Sequence, residues 1–317
     1  MADAWAGLRT HSEVRPVQVH SLTRVGATVS LVIVVLTVTA LPAASESSAP
    51  AGASMEPIEA GSPSGDSGVA RDVSYPQCSG SLPRQASAAS GVLGTNDGIS
   101  FTRNPCLVRQ LAWAKSLRLP PAFYANTGNP GPQRTTHWPI GQSSPRVCAA
   151  SDPNSIGCSY DYGWNAAWHS YTVATDAAQQ LHHVDRVNAR HRAANVEWWL
   201  DVETMNSWQA LDDQPSIAAQ RLDVATIQGE VDALRAAHVE SVGIYSTAFQ
   251  WKQITGGPRV TRGWFAGLPQ WLAGYESQAA SASACGQGGF TGGPVRMTQY
   301  LGPDGFDSDV LCGATAG

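Results

Sequence analysis

Two acids, one residue apart, carry the strongest chemical signal in the chain: Asp201 and Glu203, within Trp198-Trp199-Leu200-Asp201-Val202-Glu203-Thr204. Side chains at i and i+2 of a strand point to the same face, so both carboxyls project together, about 7 Å apart at the backbone by strand rise. The apolar run before them places them at the C-terminal end of a buried strand. Two carboxyls in an aromatic-rich, partly dry pocket do not both ionise freely. One is pushed up and remains an acid, while the other stays charged. Glycoside hydrolysis uses that division, one group protonating the leaving oxygen and one stabilising positive charge at the sugar. The plainer reading of the same motif is a strand end whose acids cap the next helix or bind an arginine.

Two further acids fit the same rim. Asp72 lies in Arg71-Asp72-Val73-Ser74-Tyr75, near the start of the first strand, and an ion pair with Arg71 is its alternative role. Asp309 lies in the last strand, with Asp307 as its competitor. First and last strands are neighbours in a closed barrel, so Asp72 and Asp309 can approach the pair from the side. Aromatic residues gather at expected strand ends: Tyr75, Tyr124, Tyr160, Tyr162, Trp164, Trp208, Tyr245, Trp251, Tyr275 and Tyr300. Sugar rings stack on such side chains. Core packing claims most of them, leaving about a third for a groove. Tyr75, Tyr124, Trp164, Tyr245 and Tyr275 are the expected sugar-stacking rings, with Asn126 and Gln299 as polar partners.

Other chemistries lack their motifs. There is no Gly-x-Ser-x-Gly elbow, no His-Glu-x-x-His and no P-loop. His182, His183 and His191 cluster in a polar helical region and read as solvated. No metal or other cofactor is implied, since no Cys-x-x-Cys pair supplies closely spaced ligands. The net charge is −5, which offers no basic footprint for nucleic acid.

The elements around these residues alternate. Strands are expected at 70–75, 91–95, 121–126, 195–203 and 241–246, with helices at 106–117, 163–184 and 215–238. The last shows Val224, Ile227, Val231 and Leu234 on one stripe. Segments 269–275, 294–300 and 308–312 read as strands with no helical pattern between them. Alternation of this kind predicts an α/β fold with a parallel sheet and helices outside. The expected architecture is a TIM-like (β/α) barrel of five β/α units followed by three strands. The competing open, doubly wound sheet would show a Gly-rich fingerprint after its first strand, and residues 70–80 have none.

Residues 1–44 read as a signal peptide or signal anchor. Arg9, Arg15 and Arg24 precede an uncharged stretch from Val25 to Leu41, and Ala43-Ala44-Ser45 follows. Residues 45–67 read as a disordered Ser/Ala/Gly/Pro linker, and 68–317 as the folded domain. The chain is therefore expected outside the cytoplasm, touching membrane only if the N-terminal segment stays uncleaved, and as a monomer. The six cysteines all follow the signal, which in an oxidising compartment means three disulfides. Sequence proximity favours Cys148–Cys158. Cys78–Cys106 and Cys285–Cys312 complete the expected set.

The order of landmarks resembles the glycoside hydrolase family 25 lysozymes and related actinobacterial secreted proteins. Those landmarks are Asp72–Tyr75, Leu200–Glu203, Gly-Ile-Tyr-Ser at Gly243–Ser246, Trp-Leu-Ala-x-Tyr at Trp271–Tyr275, Gln299-Tyr300 and the closing Asp309. The likeness spans about residues 68–312. It implies a five-β/α-plus-three-β barrel that hydrolyses the N-acetylmuramyl–N-acetylglucosamine linkage of peptidoglycan, the cell-wall partner. By that resemblance Glu203 is the general acid/base and Asp201 orients the substrate's acetamido group, with retention. Asp72 and Asp309 are then auxiliary acids. A non-catalytic barrel that binds wall carbohydrate is the alternative. The chain departs from the family pattern at the second strand, which continues as Gly94-Thr95-Asn96-Asp97-Gly98, and at Tyr160-Asp161-Tyr162-Gly163-Trp164 in the third unit.

Overall fold

A computed structural model describes residues 69–212 and 216–313. The expected signal segment and linker, and residues 314–317, lie outside the described residues. Eight strands close a barrel in chain order: β1 (Val69–Val73), β2 (Ser90–Gly94), β3 (Ala122–Asn126), β4 (Glu197–Asp201), β5 (Ser241–Ser246), β6 (Gln270–Tyr275), β7 (Val295–Leu301) and β8 (Asp307–Leu311). Neighbours from β1 to β7 run parallel, whereas β8 is antiparallel to both β7 and β1. The expected barrel is the observed one.

Strand alternation divides the apolar residues into two cores. Trp199 points inward with Ala70, Val92, Ala122, Tyr245, Trp271 and Met297. Trp198, Leu200 and Val202 point outward and pack under the helices. The helices are α1 (Leu107–Ala114), α2 (Ile156–His182), α3 (Arg186–Ala194), α4 (Ile217–Ala236), α5 (Ala248–Thr255), α6 (Pro258–Thr261) and α7 (Gln278–Ala284). The α4 stripe of Val224, Ile227, Val231 and Leu234 is buried in the outer core, each residue contributing roughly 1.5–3 kcal/mol by leaving water. Inside the barrel, Trp199 fills the space a side chain at Gly243 would need, since a Cβ there would lie 2.3 Å from its ring.

Several elements differ from the sequence expectation. The first crossover has two 3-10 turns, Tyr75–Cys78 and Gln85–Ser87, in place of an α-helix. α2 begins at Ile156, where Ser155 accepts from the Cys158 amide as N-cap. α3 and α7 were not expected; both are short and Ala-rich and lack a strong apolar stripe. α2 and α4 cross at glycines: a Cβ on Gly163 or Gly229 would stand 2.0 Å from a carbonyl of the facing helix. Three disulfides, Cys78–Cys106, Cys148–Cys158 and Cys285–Cys312, tie connecting segments together as expected. Among the described residues no helix is long and apolar enough to cross a membrane.

Candidate active site

The inward positions at the C-terminal ends of the strands form a cleft of about 350 Å3. In β/α barrels this end is where active sites are built. Asp201 is the last residue of β4 and Glu203 follows two positions on; both line the cleft, while Val202 between them is buried in the outer core. The exit of β4 is held by its carbonyls. The Thr127 hydroxyl donates to the Asp201 carbonyl at 2.6 Å, Ser246 to that of Val202 at 2.7 Å, and Trp208 Nε1 to that of Glu203 at 2.8 Å. Both acids therefore stand on a fixed backbone.

Asp201 is buried, with only 4% of its surface exposed. Asn126 Nδ2 donates to its Oδ2, and its Oδ1 has no partner. Asn126 is itself clamped by Asn96, which donates to the Asn126 carbonyl at 3.0 Å and accepts from its amide at 3.1 Å. Asn96 was not singled out from the sequence as a site residue. Its signal was the departure at Gly94–Gly98, read there only as a missing feature. Burial first, then Glu203 and Asp72, push the Asp201 carboxyl well above the usual range, opposed by the Asn126 hydrogen bond. Glu203 is half-buried, and burial raises it also; the hydrogen bonds from Gln250 and Tyr245 oppose this, and the charge of Asp307 adds to it.

Asp72 ends its inward run level with this pair. Gln299 Nε2 donates to its Oδ2 at 3.0 Å, and the Tyr124 hydroxyl hydrogen-bonds it as well. Burial, then Asp307 and Glu203, raise the Asp72 carboxyl well above the ordinary value. Its sequence neighbour Arg71 points the other way, to Ser308 at 2.6 Å and Asp304 at 2.9 Å, so the Arg71–Asp72 pair is not formed.

Asp307 lines the cleft, whereas Asp309 does not. The auxiliary position assigned to Asp309 is corrected here. Asp309 is fully buried below the mouth, accepting from Trp271 Nε1 at 2.9 Å. The reason is strand direction. β8 runs opposite to β1, so its first residue lies at the mouth and its third a layer deeper; Asp309 pairs with Ala70 of β1.

Of the expected sugar-binding residues, Tyr75, Tyr124, Asn126, Tyr245 and Gln299 line the cleft. The Tyr245 hydroxyl donates to Gln299 Oε1 at 2.7 Å, so these two form one polar wall. Trp164 and Tyr275 do not line it. Trp164 lies on α2, stacked with Tyr160 at 6.4 Å, on the outer layer. Tyr275 ends β6 after an irregularity in the β6–β7 register, which removes it from the inward row. Trp271 does line the cleft, its ring 4.4 Å from that of Tyr245. Ser74, Gly98, Met205 and Asn206 complete the rim. Trp271 is the second residue of β6 and pairs with Tyr245 of β5, which puts it on the inward row.

Fold and site together define a closed β/α barrel whose mouth carries four acids, Asp72, Asp201, Glu203 and Asp307, with no cation among the lining residues. No family model and no curated protein matches the chain. Among solved structures it is similar to a muramidase from Trichobolus zukalii, at 16% identity and a TM-score of 0.46, over 77% of this chain and 93% of that one. It is also similar to a glycosyl hydrolase 25 of Streptococcus pneumoniae, at 13% identity and a TM-score of 0.47, over 79% and 89%. A third is the bacterial lysozyme from Streptomyces coelicolor, at 14% identity and a TM-score of 0.43, over 78% and 93%.

Proposed function

We propose that the protein is an exported glycoside hydrolase that cuts the β-1,4 bond between N-acetylmuramic acid and N-acetylglucosamine in peptidoglycan. One observation carries the reading: Asp201 and Glu203 share one ring-lined cleft, both raised by burial and each held by different partners. Burial raises both, and once one carboxyl is charged its neighbour holds its proton more firmly still. Asn126 donates to Asp201 and so favours its charged form. By the family resemblance Glu203, the more accessible of the two and so the one that can reach a leaving oxygen, is the general acid; Asn126 and the substrate's acetamido group favour charge on Asp201 against the burial that raises it.

In the proposed reaction Glu203 protonates the glycosidic oxygen as the bond to the anomeric carbon breaks. The substrate's own acetamido oxygen closes on that carbon, and ionised Asp201 orients the acetamido group and stabilises its positive charge. Glu203, now a carboxylate, takes a proton from the water that opens this intermediate, giving retention. Asp72 and Asp307 are auxiliary acids, Tyr75 offers an exposed ring face to the sugars, and Tyr124, Tyr245 and Trp271 form the floor beneath them. The three disulfides support an oxidising, extracytoplasmic location, reached through the N-terminal segment.

Incubating the purified protein with peptidoglycan and counting new reducing ends tests this. Release by the parent is expected. Sedimentation with the wall without any release would favour a barrel that binds carbohydrate and does not cut it.

A further inference from the structure

A second cleft, of about 610 Å3, lies at the other end of the barrel. Residues 117–121 lead into β3 and Asn195-Val196 lead into β4, so this cleft sits where those strands begin, away from the acids at their ends. Its wall is apolar, with Leu111, Phe123 and Ala178 among its members. Its polar groups are Lys115, Arg118, His182, His191 and Arg192, joined by two amides, Asn188 and Asn195. No carboxyl lines it.

That concentration runs against a chain whose net charge is −5. Two of the neighbouring acids are held by other arginines and a third caps a helix. Asp176 pairs with Arg103 and Arg186, Glu197 with Arg296, and Asp185 caps α3 by accepting from the Asn188 amide at 2.9 Å. Among the described residues neither Lys115 nor Arg192 forms an ion pair. Burial, and then the charges of Lys115 and Arg192, hold the His182 imidazole below its usual range, which places the three within electrostatic reach of one another. Lys115 and Arg192 repel each other without a counter-charge, and a bound anion removes that cost.

We propose that this cleft binds a phosphate-bearing ligand, its anion held by Lys115, Arg192 and the two imidazoles and its organic part against the Leu111–Phe123 wall. Arginine's planar fork and a lysine point charge together suit phosphate oxygens. The volume is that of a small-molecule site and exceeds what a lone inorganic ion fills. The inference is independent of the proposed hydrolysis, since none of these residues lies at the acid cleft.

Titration calorimetry on the intact protein tests it, with glycerol 3-phosphate and pyrophosphate as soluble probes and phosphatidylglycerol vesicles as the lipid probe. The Lys115→Gln/Arg192→Gln variant, with both changes on exposed side chains, is expected to bind at least tenfold more weakly and to hydrolyse wall at the parent rate. Arg259→Gln, an exposed charge on α6, should leave binding unchanged. Soluble-probe binding alone assigns a free or polymer-borne phosphate. Vesicle retention lost in the double variant assigns a lipid headgroup. Absence of binding to every probe, binding unaltered in the double variant, or citrate bound as tightly as the phosphates would overturn the proposal.

Discussion

Replacing Asp309 by asparagine isolates the cost of one buried proton. Asp309 has no exposed surface; one carboxyl oxygen accepts from Trp271 Nε1 at 2.9 Å and the other has no partner. Burial, then Asp72 and Asp307, push this carboxyl well above its ordinary value of 3.8. The folded protein therefore keeps a proton that the unfolded chain gives up. For a raised carboxyl the stability is complete below the unfolded value and is lost as pH climbs toward the folded one. Each pH unit within that window costs about 1.4 kcal/mol for each proton held. Asp309→Asn keeps an acceptor for Trp271 and cannot ionise, so it loses this slope. Within that window the variant should gain steadily on the parent as pH rises, less whatever Asp72 and Asp307 take up through their coupling. Urea unfolding of both proteins from about pH 4 to about pH 7, at fixed ionic strength, reads the difference directly. Stability curves that run parallel over the whole range would refute the reasoning.

Other changes have equally definite outcomes. Glu203→Gln keeps the shape and an acceptor oxygen, and kcat should fall about 10²–10⁴-fold with KM little altered. Burial raises Glu203, so the parent's kcat/KM should decline as pH rises through that raised value, and this limb should vanish from the variant's residual rate. Gly229→Ala puts a methyl 2.0 Å from the Tyr160 carbonyl and should destabilise by about 1–3 kcal/mol or more in thermal unfolding, while Gly286→Ala, with open space around it, should change stability by under about 0.5 kcal/mol. Removing Cys285–Cys312, whose partners are 27 residues apart, should cost about 3–4 kcal/mol, and removing Cys148–Cys158, 10 apart, slightly less, by chemical denaturation of the alanine pairs.

The barrel was legible because alternation and helical stripes are local. Trp198-Trp199-Leu200-Asp201 declared both a buried strand and the direction its acids face. The start of α2 was hidden for a physical reason. Tyr160, Asp161, Tyr162 and Gly163 are all buried, so the segment shows no polar face and reads as irregular. The choice between Asp307 and Asp309 needed the antiparallel direction of β8, which no residue in that strand announces. Both lie on the inward row, and only the direction of entry says which is at the mouth. Asn96 was opaque because it acts through Asn126, a contact made between adjacent strands. Trp164 and Tyr275 failed for a different reason: an aromatic ring near a strand end serves core and groove alike, and only the helix position or the register shift separates them.

The most direct test of the central claim is the chemical identity of the end that is released. Peptidoglycan digested by the protein, then reduced with borohydride and hydrolysed, should yield muramitol with the parent and at least about a hundredfold less, in the same time, with Glu203→Gln. Glucosaminitol in its place, or muramitol in equal amount from the variant, would contradict the account.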